Sequence, residues 1–473
     1  MTTVPHAAAT AETSEIDTSA RCTLSLLIAS ALAWLVVSGV LALLNLVQAY
    51  TPGFLADCEV FTYGRLRAIQ ETAFIYGWAA NAGVAVALWL LARLGGSPLR
   101  SLNWTLAGAV FWNLGVLAGL IGIAIGDGSS VAYLHMPAYV QPLMLVAFGA
   151  MAVPGILAWT GRRQPMTFAA QWYALAALFL FPWLFSAAQV MLEWTPVRGT
   201  LQAVAAGWFV QGAWTLWLAP LALAAAYYLV PKITGRAIPN YDFASFGFWT
   251  LLVVGGWTGG RHLVGGPVPA WVVTIAIVSC TLLLIHYIVV AINLRGAFGQ
   301  GGTVLKFVGF GLAAYLVGGL VDSITAMRSV AVITQFTWFA QAQSQLALTG
   351  AYSMLIFGAI YFLIPRVTGQ AWPSAPLIRA HYAAAVLGTV VLVVSLAAAG
   401  WVQGRDLANA SVSFADIAAH TRPWLQTATA AQALLVIGNA LFALHFLRAI
   451  CPRAAAPAAS PFRQPSTMEA SAS

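Results

Sequence analysis

Residues 343–366 run Gln343-Ser344-Gln345, then LALTGAYSMLIFGAIYFLI, then Pro365-Arg366. The nineteen residues 346–364 carry no charge. At 1.5 Å per residue, a helix of that length covers roughly 30 Å, the thickness of a bilayer's hydrocarbon core. The stretch therefore reads as a membrane-spanning helix that opens on two glutamines two residues apart. Successive helix residues turn by about 100°, so Gln343 and Gln345 face nearly opposite sides.

The rest of the chain repeats this pattern. Of 473 residues, 61% are hydrophobic and 7% charged, against roughly one quarter charged in a soluble domain. Apolar runs occur at 23–49, 72–94, 103–125, 139–160, 171–192, 205–230, 245–263, 270–294, 304–327, 340–365, 381–402 and 426–448. They predict an all-α bundle of twelve transmembrane helices, one membrane domain over 22–450. The seventh run is interrupted by Gly255, Gly256, Gly259 and Gly260. The flanks, 1–21 and the Ala/Pro/Ser-rich 451–473, read as disordered tails.

Charge placement sets the expected orientation. With the N-terminus inside, the inner side collects one Lys or Arg on the N-terminal tail, two on each of five loops and three on the C-terminal tail; the outer side collects seven of the 21. That bias predicts both termini in the cytoplasm of a bacterial cell, with the bundle in its inner membrane. The net charge of +8 is thus a topology signal, and no basic run or RNA-binding motif points to nucleic acid. Cys22, Cys58, Cys280 and Cys451 are far apart, with no CxxC or CxxCH, which excludes a zinc knuckle and covalently attached heme.

Four segments carry a resemblance. They are Gly64-Arg65-Leu66-Arg67 with Phe74-Ile75-Tyr76-Gly77-Trp78-Ala79-Ala80-Asn81, then Tyr133-Leu134-His135-Met136-Pro137, then Tyr227-Tyr228-Leu229-Val230-Pro231-Lys232, and lastly Phe357 through Arg366. In order and spacing they resemble subunit I of the heme–copper oxidases, most closely the cbb-type branch, over roughly residues 60–370. That resemblance implies two hemes and one copper held by six histidines, cytochrome c oxidation, oxygen reduction and proton translocation.

Carried onto this chain, the low-spin heme positions fall at Gln70 and Gln345, the high-spin heme position at Gln343, and the copper positions at Gln211, Arg261 and His262. Five of these six are not histidine. Heme iron takes imidazole, thiolate, thioether or phenolate as axial donors, and a neutral carboxamide is a poor one. Copper in a histidine cluster wants imidazole nitrogen, and the Arg261 cation opposes it. The expectation is a catalytically degenerate homologue with no heme, copper or catalytic residue, serving as a subunit or scaffold of a respiratory-type membrane complex that includes other membrane subunits, a c-type cytochrome among them. Two alternatives stay open: an active terminal oxidase with unusual ligands, and a conduit for protons or a small lipophile.

Three intramembrane polar residues are candidates for function: His286, Asp322 and Tyr315. Arg328, six residues past Asp322 at the outer end of the span, is read as part of its environment. Tyr315 falls near the family's active-site tyrosine but has no expected histidine partner, and so reads as a packing aromatic. His135 stands where the resemblance expects an acid. His6, His381, His420 and His445 read as incidental. Two missing hemes would leave destabilising voids, so Trp208, Trp214, Trp217, Trp249, Trp257, Trp338 and Phe339 are expected to supply rings that fill them.

Overall fold

A computed structural model describes residues 15–450. Twelve long helices, with short ones over 15–19 and Arg328–Thr334, follow one another with no sheet among the described residues: α1 (Arg21–Tyr50), α2 (Tyr63–Gly95), α3 (Leu102–Ile125), α4 (Gln141–Thr160), α5 (Ala169–Trp194), α6 (Thr200–Thr234), α7 (Tyr241–Gly255), α8 (Ala270–Asn293), α9 (Thr303–Thr325), α10 (Trp338–Thr368), α11 (Ala375–Leu407) and α12 (Phe414–Ile450). Eleven of them are long and apolar enough to cross a membrane. The exception is α7, whose fifteen residues stop at Gly255. The rest of its run bends into a tight 3-10 turn, Thr258–Leu263. Glycine makes that turn possible: a Cβ on Gly259 would stand 2.5 Å from the carbonyl oxygen of Gly207 in α6. Backbone therefore meets backbone, and Arg261 and His262 are carried against α6.

The helices form two populations. The apolar windows of α2, α6 and α10 are 94%, 94% and 83% buried, and in no other span does this exceed 50%. Every fourth helix is thus an inner helix, and the others surround it. The outer helices turn large apolar side chains outward, such as Phe111 and Ile121 of α3, Val146 of α4 and Trp249 of α7, which is stable only against lipid. Between α2, α4, α5 and α6 the core is aromatic. Phe181 packs on Trp217 with centroids 4.0 Å apart and on Phe148 at 4.4 Å, with Tyr76 and Trp112 beside them.

The expected disordered tail 1–21 departs from the structure, which is helical over residues 15–19. The cause is a buried anchor. Asp17 accepts from Trp89 Nε1 at 3.0 Å and pairs with Arg93 at 2.9 Å, both on α2. The expected tail 451–473, Cys451 and His6 lie outside the described residues.

Candidate functional site

Each inner helix contains a π-helical stretch: 73–79 in α2, 213–218 in α6 and 346–353 in α10. Each begins one to three residues after a singled-out glutamine, Gln70, Gln211 and Gln345 respectively. A π turn inserts a residue, loosens the i→i−4 ladder and re-aims the side chains beside it. In a membrane, carbonyls freed in this way need other partners. They have them in α2: Tyr76 O accepts from Trp112 Nε1 at 2.8 Å, Gly77 O from Asn81 Nδ2 at 2.7 Å, and Ala79 O from the Tyr352 hydroxyl.

Gln70 and Gln345 line one cavity. It encloses about 1030 Å³ of empty space, its open mouth included, between α1, α2, α10, α11 and α12. Its walls include Leu35, Phe74, Ile75, Leu348, Met354 and Phe357. Gln70 is 9% exposed as a residue, and its carboxamide makes no hydrogen bond to any described residue. Gln345 Oε1 accepts from Thr349 at 2.7 Å, which leaves its Nε2 without a bond. Thr389 Oγ1, on the same wall, is buried and unpaired. At the rim Glu71 is held from two sides, by Arg67 Nε at 3.0 Å and His135 Nε2 at 3.1 Å. His135 therefore serves as the partner of Glu71.

Gln211, Arg261, His262 and Gln343 line a second cavity, of about 610 Å³ with its open mouth included, on the other face of α10. The opposed facing of Gln343 and Gln345 thus appears in the structure as two separate chambers. Tyr133 and Ser344 border both. Tyr133 sits in the connection before α4, where burial raises its phenol above the ordinary value and keeps it protonated.

The second chamber is tied by charge. Arg261 Nη1 pairs with Asp322 Oδ2 at 3.1 Å. Gln343 Nε2 donates to Asp322 Oδ1 at 3.0 Å and to Thr325 Oγ1 at 2.8 Å. Arg261 Nε donates to His262 Nε2 at 3.1 Å, and its Nη1 lies 3.9 Å from Cys280 Sγ. Arg328, read from the sequence as part of the Asp322 environment, is instead exposed and donates to Thr274 Oγ1 at 3.3 Å. Arg261, brought in by the turn after α7, takes the acid because a buried guanidinium needs a counter-charge.

His286 and Tyr315, singled out separately, meet. His286 Nδ1 lies 2.7 Å from Gly247 O, an acceptor only, so the proton sits on Nδ1. Nε2 then accepts from the Tyr315 hydroxyl at 2.9 Å. The reading of Tyr315 as lacking a histidine partner is overturned. Tyr315, Trp214, Asp322 and Gln343 border a third space of about 300 Å³, its open side included. The histidines read as incidental also have polar contacts: His381 with Tyr361 at 3.0 Å, His420 with Asp406 at 2.8 Å, and His445 with the Ser374 amide at 3.1 Å.

The rings expected to fill vacated space are divided in the structure, and Phe339 lies against Gly400 of α11. Trp249 and Trp257 face outward, Trp208 packs edge-on to Trp183, and Trp217 belongs to the aromatic core. Trp214 and Trp338 border cavities without closing them. The first chamber stays open because small side chains line it, among them Ser38, Gly39, Ala42 and Ala385.

Residues 23–434 match the family model described as Cytochrome C and Quinol oxidase polypeptide I. The Cbb3-type cytochrome c oxidase subunit CcoN1 of Stutzerimonas stutzeri is 25% identical over 386 residues, 78% of this chain and 80% of that protein. Cytochrome c oxidase subunit 1 of Rhodobacter capsulatus is 24% identical over 369 residues, 73% and 67% of the two chains. A bacteroid cytochrome c oxidase subunit 1 homolog of Bradyrhizobium diazoefficiens is 23% identical over 447 residues, 88% and 79%. Among solved structures, a heme–copper terminal oxidase dimer superposes with a TM-score of 0.66 at 14% identity, covering 91% of this chain and 85% of that one. That likeness is one of fold.

Proposed function

We propose that this chain, which belongs to the Cytochrome C and Quinol oxidase polypeptide I family, is a heme- and copper-free member that serves as a non-redox subunit or scaffold of a membrane complex. The observation that carries the reading is the donor set. Carboxamides stand at Gln70, Gln345, Gln343 and Gln211, and a guanidinium at Arg261. Neutral carboxamides do not fit heme iron. Arginine is not deprotonated in proteins, so Arg261 brings a fixed positive charge to the place where a copper cation would sit. No group of three or more His, Cys, Asp or Glu side chains converges among the described residues. The whole arrangement departs from what redox metals require, and no oxygen chemistry is routed through it.

Family membership supports assembly with other subunits, and a c-type cytochrome subunit is the partner we propose. The Lys and Arg asymmetry supports both termini in the cytoplasm and residence in a bacterial inner membrane. The test is to purify the protein in mild detergent and record its visible spectrum, with heme extraction and copper analysis on the same sample. We expect no Soret band and no copper. A stoichiometric heme signal would instead favour an active oxidase with substitute ligands, drawn from His262, His286 or methionine.

A further inference from the structure

We infer that the cavity shared by Gln70 and Gln345 is a binding site for an uncharged, membrane-soluble aromatic compound bearing a carbonyl oxygen. The inference rests on the reading that heme does not hold this space. Three features lead to it.

The first is extent: one continuous space opens between α1, α2, α10, α11 and α12, in the concave, mostly apolar setting that small-molecule sites share. The second is unmet hydrogen bonding. Gln70 offers its whole carboxamide, and Gln345 its Nε2, to the cavity, neither with a partner among the described residues. Those N–H groups ask for an acceptor, and a carbonyl oxygen with two lone pairs can serve both. Thr389 Oγ1 is a third unpaired group on the wall.

The third feature is the balance of charge and ring. The charged side chains on the lining are Arg67 and Glu71, which pair with each other at the rim, Glu71 also meeting His135. Their charges are spent there, and no free charge remains to recognise an ion. Phe74, Phe357 and Met354 supply aromatic and thioether surfaces suited to a ring. The second chamber differs in charge: a cation, Arg261, lines it, and both Arg261 and the Gln343 carboxamide are engaged with Asp322, although the Gln211 carboxamide there has no hydrogen-bond partner among the described residues.

The test uses full-length protein in detergent, with 9-fluorenone as the probe and fluorene, the same ring without the carbonyl, as its comparison. Binding is measured by calorimetry, and heme content is determined on the same preparation. We expect fluorenone to bind at least tenfold tighter than fluorene, and the Gln70→Leu/Gln345→Leu variant to lose that preference while still taking fluorene. Equal binding of the two probes to the unaltered protein, or no binding of either, overturns the inference, and neither result depends on the variant folding. If heme is absent and fluorenone fails, this inference falls and the heme-free reading stands. Stoichiometric heme in the preparation overturns both.

Discussion

The two faces of α10 carry the same side chain to different ends. On one, Gln345 enters a chamber where the neutral amides are left unpaired. On the other, Gln343 is locked to Asp322 and Thr325, and Asp322 to Arg261. The difference is one of charge. A neutral carboxamide in an apolar wall costs little and can wait for a ligand. A guanidinium there must be neutralised, or the fold pays heavily in desolvation. Charge therefore ties Gln343 and Arg261 of the second chamber into one network around Asp322, whereas the first, on the inference above, is a ligand site.

That contrast can be broken most sharply at Asp322. An Asp322→Ala substitution strands Arg261 and frees Gln343, and should cost roughly 3–5 kcal/mol, read as a large drop in the thermal transition in detergent. The pair Arg261→Met/Asp322→Leu should recover most of that loss, since replacing both charges with apolar groups is often neutral. If the single variant is as mild as a surface change, the network is not structural.

Tyr315→Phe should cost less, about 1–3 kcal/mol, because it leaves the His286 Nε2 acceptor buried without a donor. Denaturation in a detergent series would measure it, and His286→Phe added on top should produce little further loss. Gly259→Ala should act by about 1–3 kcal/mol of overpacking, pushing its turn off α6 and loosening Arg261. Pairing it with Asp322→Ala should then give less than the sum of the two. The smallest effect belongs to the first chamber. Gln70→Leu and Gln345→Leu should each stay within about 0.5 kcal/mol or stabilise. A loss comparable to that of Asp322→Ala would mean that those amides are structural too.

The long spans were readable because runs of about 20 uncharged residues have few other solutions. The opposed facing of Gln343 and Gln345 followed from the two-residue step alone. Asp322 with Arg261 was not readable, because its proximity depends on a turn built from Gly259 against Gly207. Arg328 was the nearer cation along the chain and the wrong one. His286 stood out as a costly intramembrane residue, but its bond to Tyr315 spans two helices and leaves no periodic trace. The π stretches beside Gln70, Gln211 and Gln345 were invisible for a similar reason: in a fully buried helix every face is apolar, so a one-residue insertion breaks no pattern. Asp17 read as part of a polar tail because its partners, Trp89 and Arg93, lie at the far end of α2.

In the proposed reading Gln70 and Gln345 stand where a heme would be held and lack only the donor chemistry. The Gln70→His/Gln345→His double variant tests this, purified beside the unaltered protein and the two single variants, with their visible spectra compared. A stoichiometric, two-imidazole heme spectrum is expected in the double variant alone. A Soret band of the same strength in the unaltered protein, or none in a folded double variant, would contradict it.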